Sequence, residues 1–199
     1  MESFKFLMPT QVYFGKDCIT QNREAFGKCG KRAYVITYRL PGRHYALEDV
    51  EAALKERGVS YFIETEIEEN PCVETIVRAA KKGLAEKADF LVAIGGGAPI
   101  DASKAIGIMM NNPDMEPYDL FSREDLTSLP IIAVPTTAGT GAEVAHWSVI
   151  TRFDTQTKQA IKPWVYPRYS FLDPSYLMSM PVRLTRATAL DALGHCIES

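Results

Sequence analysis

The sequence predicts an α/β fold: a doubly wound, mostly parallel sheet with helices on both faces. Three observations predict it. Residues 90–94 are an unbroken apolar run with β-branched members, the pattern of a strand buried on both faces, and 32–37 read as a second strand of that type. Amphipathic helical stretches alternate with these runs through short connections, as in strand–helix–strand crossovers. The run at 90–94 passes straight into Gly95-Gly96-Gly97 and then into good helix formers, a strand–turn–helix unit. The character changes after Pro181, so the chain divides into 1–180 and 181–199.

Taken in order, residues 11–14 read as a short strand ended by Gly15, and 17–28 as a helix closing at Gly30. Strand 32–37 follows, then a loop with Pro41 and Gly42. Residues 44–57 form an amphipathic helix, with Leu47, Val50, Ala53 and Leu54 at helical spacing and Gly58 as its stop. After strand 59–63, Asn70 and Pro71 read as N-cap and first residue of a helix reaching about Glu86. Strand 90–94 leads through the glycines to a helix opened by Pro99 and running to about Met110. Residues 113–129 read as a polar loop and 131–134 as a strand. Residues 147–153 and 159–165 read as an antiparallel pair joined by the turn 154–158. Residues 170–172 form one more strand, and 183–199 a helix.

Right-handed crossovers place the C-terminal ends of all parallel strands at one edge, where ligands of such sheets bind. Thr37–Tyr38, Glu69–Asn70, Gly95–Gly97 and Pro135–Thr137 follow strands and are expected to converge there. At the triglycine turn the backbone can approach a ligand closely, and the helix N-terminus beyond it favours an anion such as phosphate. A tight strand–helix turn without a ligand has the same pattern. It is neither a Walker A loop nor a Gly-x-Gly-x-x-Gly fingerprint. The second glycine-rich loop, Pro-Thr-Thr-Ala-Gly-Thr-Gly-Ala-Glu at 135–143, is the candidate second wall.

The chain has 199 residues, is 46% hydrophobic and 24% charged, and carries a net charge of −3 with no block of like charge. That balance suits a packed core and argues against nucleic acid or an anionic membrane as partner. No signal peptide and no apolar run of transmembrane length is visible. Cys18, Cys29, Cys72 and Cys196 are scattered without a CxxC, the usage of reduced, inert thiols in a cytoplasmic protein. Asp191 and His195 lie four apart on one helix face, so both could reach one divalent metal. An ordinary helical Asp–His pair has the same spacing, and two ligands alone are too few for a catalytic metal.

Three stretches together resemble the iron-containing (group III) alcohol dehydrogenase family. Gly95, Gly96, Gly97, Ala98, Asp101 and Lys104 resemble its Gly-Gly-Gly-Ser-x-x-Asp-x-x-Lys signature. Pro135 through Glu143 resemble its Pro-Thr-Thr-Ala-Gly-Thr-Gly-Ser-Glu. Asp191, Ala192, Leu193, His195, Ile197 and Glu198 resemble its Asp-Ala-Leu-x-His-Ala-x-Glu. The resemblance implies a Rossmann-like dinucleotide-binding domain over 1–180, with 181–199 as the first helix of an all-helical metal-binding domain. It implies NADP or NAD as cofactor, a divalent metal (Fe2+ or Zn2+) in the full-length enzyme, and an alcohol or aldehyde substrate. Gly96, Gly97 and Asp101 would serve the cofactor, Gly96 and Gly97 at its pyrophosphate. Thr136 and Thr137 would line its adenine and ribose side, and Asn70 and Lys158 would lie near it. Asp191 and His195 would be two of four metal ligands, the other two being histidines later in the family's sequences. A full-length homo-oligomer is expected.

The departures are Ala98 and Ala142 in place of serine, Ala189 in place of glycine, and Tyr38 where many NAD-using members carry aspartate. With no carboxylate in Tyr38-Arg39-Leu40, and Arg39 or Arg43 able to pair a 2′-phosphate, NADP is the expected preference. His44 and His146 match no ligand motif and read as surface or packing residues. The 1–199 chain alone is expected to be inactive. The alternatives are a glycerol dehydrogenase-like or dehydroquinate synthase-like relative, or a non-catalytic nucleotide-binding module.

Overall fold

A computed structural model of the chain describes residues 7–38 and 45–198. Arg39, Arg43 and His44, which entered the reading above, lie outside the described residues. The elements in order are β1 (Gln11–Phe14), α1 (Cys18–Gln21), α2 (Glu24–Cys29), β2 (Arg32–Ile36), α3 (Tyr45–Glu56), β3 (Ser60–Glu64) and α4 (Val73–Ala85). Then come β4 (Phe90–Gly95), α5 (Gly97–Asn111), β5 (Ile131–Pro135), β6 (Val149–Arg152), β7 (Thr157–Ala160), β8 (Tyr169–Leu172) and α6 (Val182–Glu198).

Six strands form one parallel sheet in the order β1-β8-β5-β4-β2-β3. The expected α/β, Rossmann-like architecture is therefore present. Alternate residues of each strand face opposite sides, so the core has two halves. Tyr34, Ile36 and Leu91 pack with Ile76, Ile106 and Phe121 on the α4–α5 side. Ala33, Val35, Phe90, Val92 and Ile94 pack with Phe26, Val50 and Leu54 on the α1–α3 side. β2 leads outward to β3, whereas β4, on its other flank, leads to β5. The two crossovers diverge at this pair, which makes the gap beyond the C-terminal ends of β2 and β4 the switch point.

Several expected boundaries move, each for a local reason. The helix expected at 17–28 is two short helices. Asn22 ends the first, its side-chain amide donating to the Cys18 carbonyl at 2.9 Å. The helix after β3 starts at Val73 with Cys72 as its N-cap rather than Asn70. Asn70 and Pro71 are instead engaged by the β6–β7 hairpin: Thr151 N–H donates to the Pro71 carbonyl at 2.8 Å, and Lys158 Nζ to Asn70 Oδ1 at 2.7 Å. α5 starts at Gly97, so Pro99 lies inside its first turn. The loop 113–129 contains a 3-10 turn, Pro117–Phe121, which buries Leu120 and Phe121. The antiparallel pair is present, but β6 is shorter than expected at both ends and β7 starts two residues inside the expected turn and stops at Ala160, so Lys158 lies on β7 opposite Thr151. Among the described residues no helix is long and apolar enough to cross a membrane.

Candidate functional site

A cleft of about 710 Å³ opens at the switch point. Tyr38, Glu69, Gly96, Gly97, Thr136 and Thr137 line it, drawn from the ends of four parallel strands. The expected convergence of these loops is what the topology produces. Thr140, Tyr176, Leu184 and Thr188 are among the other residues of the wall, and none of the four was among the candidate site residues. Tyr176 and Leu184 lie beyond β8 and carry no motif. Their place after the last strand of a parallel sheet was the available signal.

The floor of the cleft is the turn from β4 into α5. Gly95 has φ +145°, a region closed to most side chains, and a Cβ there would stand 2.6 Å from Pro99. Gly96 is the N-cap of α5, and no side chain caps the helix. Its first amides and its dipole are therefore directed to whatever occupies the cleft. The two glycine-rich loops touch: a Cβ on Gly96 would lie 3.0 Å from Thr137 Oγ1, and one on Gly97 3.1 Å from the Thr140 methyl. Thr136 N–H donates to the Gly95 carbonyl at 2.9 Å, which keeps the second loop in line with the first.

Tyr176 is brought in by a 3-10 turn, Pro174–Leu177, that the buried Asp173 caps by accepting from Ser175 N–H at 2.8 Å. Its hydroxyl donates to Asp49 Oδ2 at 2.6 Å. Burial, with the Glu69 carboxylate beside it, pushes the Tyr38 phenol up to about 12. Glu69, from the loop after β3, thus shares the cleft wall with Tyr38.

Asn70 and Lys158 are hydrogen-bonded to each other next to Glu69, outside the lining of the cleft. Asp101 is also outside it. Its Oδ2 accepts from Val149 N–H at 3.1 Å, and its Oδ1 lies 3.9 Å from Lys104 Nζ. Burial pushes the Asp101 carboxyl up to about 6 and draws Lys104 down to about 8. Arg39 lies outside the described residues. His146 is a packing residue, stacked between Trp147 and Trp164 with Nδ1 3.2 Å from the Tyr166 hydroxyl. Cys18 and Cys29 are pushed by burial up to about 11 and 12, values that hold them as thiols.

On α6 the His195 Nε2 and Asp191 Oδ1 lie 3.7 Å apart on one face, both exposed. Among the described residues no third His, Cys, Asp or Glu joins them as a metal group. Neither lines the cleft, but α6 lies against the second glycine-rich loop through Thr188 and Asp191. A Cβ on Gly139 of the second loop would meet the Thr188 carbonyl at 2.9 Å and Asp191 Oδ2 at 3.1 Å, so only glycine allows α6 this close.

Comparison with known proteins agrees with this geometry. The NADPH-dependent butanol dehydrogenase of Clostridium saccharobutylicum is 32% identical over 200 residues, covering 98% of this chain and 51% of that protein. The 1,3-propanediol dehydrogenase of Klebsiella pneumoniae is 35% identical over 209 residues, covering 98% and 52%. The crystal structure of an iron-containing alcohol dehydrogenase from Thermotoga maritima superposes with a TM-score of 0.93 at 36% identity, over 98% of this chain and 55% of that one. The chain spans about half the length of these relatives. The family model for iron-containing alcohol dehydrogenases matches residues 9–174, the whole sheet with both glycine-rich loops, and the chain belongs to that family.

Proposed function

We propose that the chain is the dinucleotide-binding part of an NAD(P)-dependent, metal-dependent alcohol dehydrogenase that interconverts a small alcohol with its aldehyde or ketone. One observation carries this reading: the ends of four parallel strands meet at the switch point around a helix N-terminus that no side chain caps. Such a site fits a pyrophosphate, whose charge the α5 amides and dipole would hold. Glycine at 96 and 97 leaves the space a side chain would fill. The names of the relatives, butanol and 1,3-propanediol dehydrogenase, support a small alcohol as the substrate class.

The residues of the chain also suggest which dinucleotide. The expectation of NADP rested on the lack of a carboxylate in Tyr38-Arg39-Leu40 and on Arg39 or Arg43 as partners of a 2′-phosphate. Glu69 stands near Tyr38, on the cleft wall. A carboxylate accepts hydrogen bonds from ribose hydroxyls and repels a 2′-phosphate. The reading therefore turns from NADP to NAD. Titrating the chain with NADH and with NADPH, read by nucleotide fluorescence, tests both parts. Tighter NADH binding is expected. Binding of neither dinucleotide refutes the function, and tighter NADPH binding refutes the preference alone.

Asp191 and His195 offer one oxygen and one imidazole nitrogen, a donor pair that suits iron or zinc and fits as part of a metal site. Bound nearby, a divalent metal would supply a Lewis acid for the alcohol oxygen and the nicotinamide a hydride acceptor. The chain's own contribution is placement. The α5 N-terminus orients the cofactor, and Gly139 lets α6 lie against the second glycine-rich loop, with Asp191 next to it. Two donors hold a metal weakly, so after dialysis the 1–199 chain should retain far less than one equivalent of iron or zinc, by elemental analysis. One equivalent retained would refute this.

A further inference from the structure

α5 begins in the cleft and, two turns further on, carries a charge that does not reach it. Lys104 is 0% exposed. Its Nζ donates to the carbonyls of Ala142 at 2.9 Å, Ala145 at 2.9 Å and Trp147 at 2.6 Å. An ammonium has three donors, and all three are taken by one short stretch, 142–147, that begins in the second glycine-rich loop and continues just past it. Asp101, one turn earlier, accepts at Oδ2 from Val149 N–H and at its carbonyl from Ser148 Oγ, 2.9 Å away. One face of α5 therefore holds the stretch 142–149. The connection reaches the cleft through Ala142, whose N–H donates to Thr140 Oγ1 at 3.3 Å. The Thr140 methyl in turn faces Gly97.

We infer that Lys104 is a positioning residue for nucleotide binding, clamping the second glycine-rich loop to the helix whose N-terminus receives the phosphates and so fixing the width of the cleft. This rests on the dinucleotide reading above. The chemistry of burial favours it over a role in stability alone. Sequestering an ammonium is costly, and an apolar side chain of equal length would fill the same space without that cost. What the ammonium adds is three directed bonds that fix three backbone carbonyls of an irregular loop. The other charged or titratable groups facing it are the Asp101 and Glu143 carboxyls, which favour the charged form, and the His146 imidazole. The Asp and Lys of the first motif thus act on the loop formed by the second.

The test compares wild type, Lys104→Met and Lys104→Arg by NADH titration alongside urea unfolding. Lys104→Met, folded by circular dichroism, should bind NADH at least about tenfold more weakly. Lys104→Arg, which keeps the charge and several donors, should recover part of that loss. Unchanged affinity in folded Lys104→Met overturns the inference and leaves the dinucleotide reading standing. Absence of NADH and NADPH binding by wild type overturns that reading, and the inference with it. Amide exchange on wild type decides the matter if Lys104→Met does not fold. Val144 and Ala145, whose N–H groups donate to the Gly141 carbonyl at 3.0 and 2.9 Å, should be protected before any nucleotide is added. Exchange at the rate of an unstructured peptide in the nucleotide-free protein would overturn the clamp.

Discussion

The two longest helices of the chain are built on opposite terms. α5 has 15 residues, eleven of them buried, and its two ends have separate tasks: the first turn faces the cleft and the rest packs on the sheet. α6 has 17 residues and buries none. Its apolar residues Leu190, Leu193 and Ile197 are 68%, 54% and 75% exposed. Both helices carry candidate functional residues, yet only α5 is held by long-range packing. The difference teaches that a site can be half fixed. The phosphate end is built into the core, whereas the helix carrying Asp191 and His195 meets the second loop through one close approach, of Thr188 and Asp191 to Gly139.

The contrast can be broken hardest from the α5 side. Ile106 is 0% exposed and belongs to the α4–α5 half of the core. Ile106→Ala removes buried methyl groups where close packing leaves little room to relax, and should cost about 2–5 kcal/mol in urea unfolding. NADH affinity in the folded fraction should not change, because Ile106 does not line the cleft. A loss below about 1 kcal/mol would show that this half of the core is looser than its burial indicates.

Next in size is Gly97→Val. A Cβ at Gly97 already stands 3.1 Å from the Thr140 methyl, and a branched side chain would press the two glycine-rich loops apart. NADH affinity should fall on the order of 100-fold, equivalent to about 2.7 kcal/mol. Urea unfolding should change less, since the strain falls on a loop at the rim of the sheet. Equal affinities for wild type and variant would remove the triglycine turn from the binding site.

The asymmetry between the helices also marks what the sequence made legible. Strand 90–94 was readable because a strand covered on both faces leaves a continuous apolar run, and 32–37 was read as a second of that type. The cleft was readable as the set of segments following strands. The role of Lys104 was not. Lys104 was named only as the last residue of the first signature, and its partners are carbonyls 38 to 43 residues away. Backbone carbonyls carry no residue signature. Glu69 was expected at the cleft edge, but its place near Tyr38 was not, for a related reason. The carboxylate near Tyr38 was sought in the residues that follow it, while the loop between β3 and α4 supplied it. The boundaries at 17–28 and 70–73 moved because side chains of Asn22 and Lys158 bond to polar groups that a helix would otherwise use.

The smallest expected effect comes from α6 and sharpens the comparison most. Leu193 is 54% exposed, and Ala is at least as good a helix former as Leu. If the helix stands as the structure has it, Leu193→Ala removes little burial and no hydrogen bond. Unfolding free energy should then change by less than about 0.5 kcal/mol, as for other exposed positions. That figure is several times smaller than the loss expected at Ile106, although both substitutions truncate an aliphatic residue to alanine within a helix. A loss of about 1.5 kcal/mol or more at Leu193 would mean that its face is covered in solution. Repeating the unfolding at a tenfold different protein concentration would then identify the cover. Covering by a second copy makes the midpoint concentration-dependent, whereas covering within the chain does not. A covered α6 would also restrain Asp191 and His195, which share that helix, and the half-fixed site would become a fixed one.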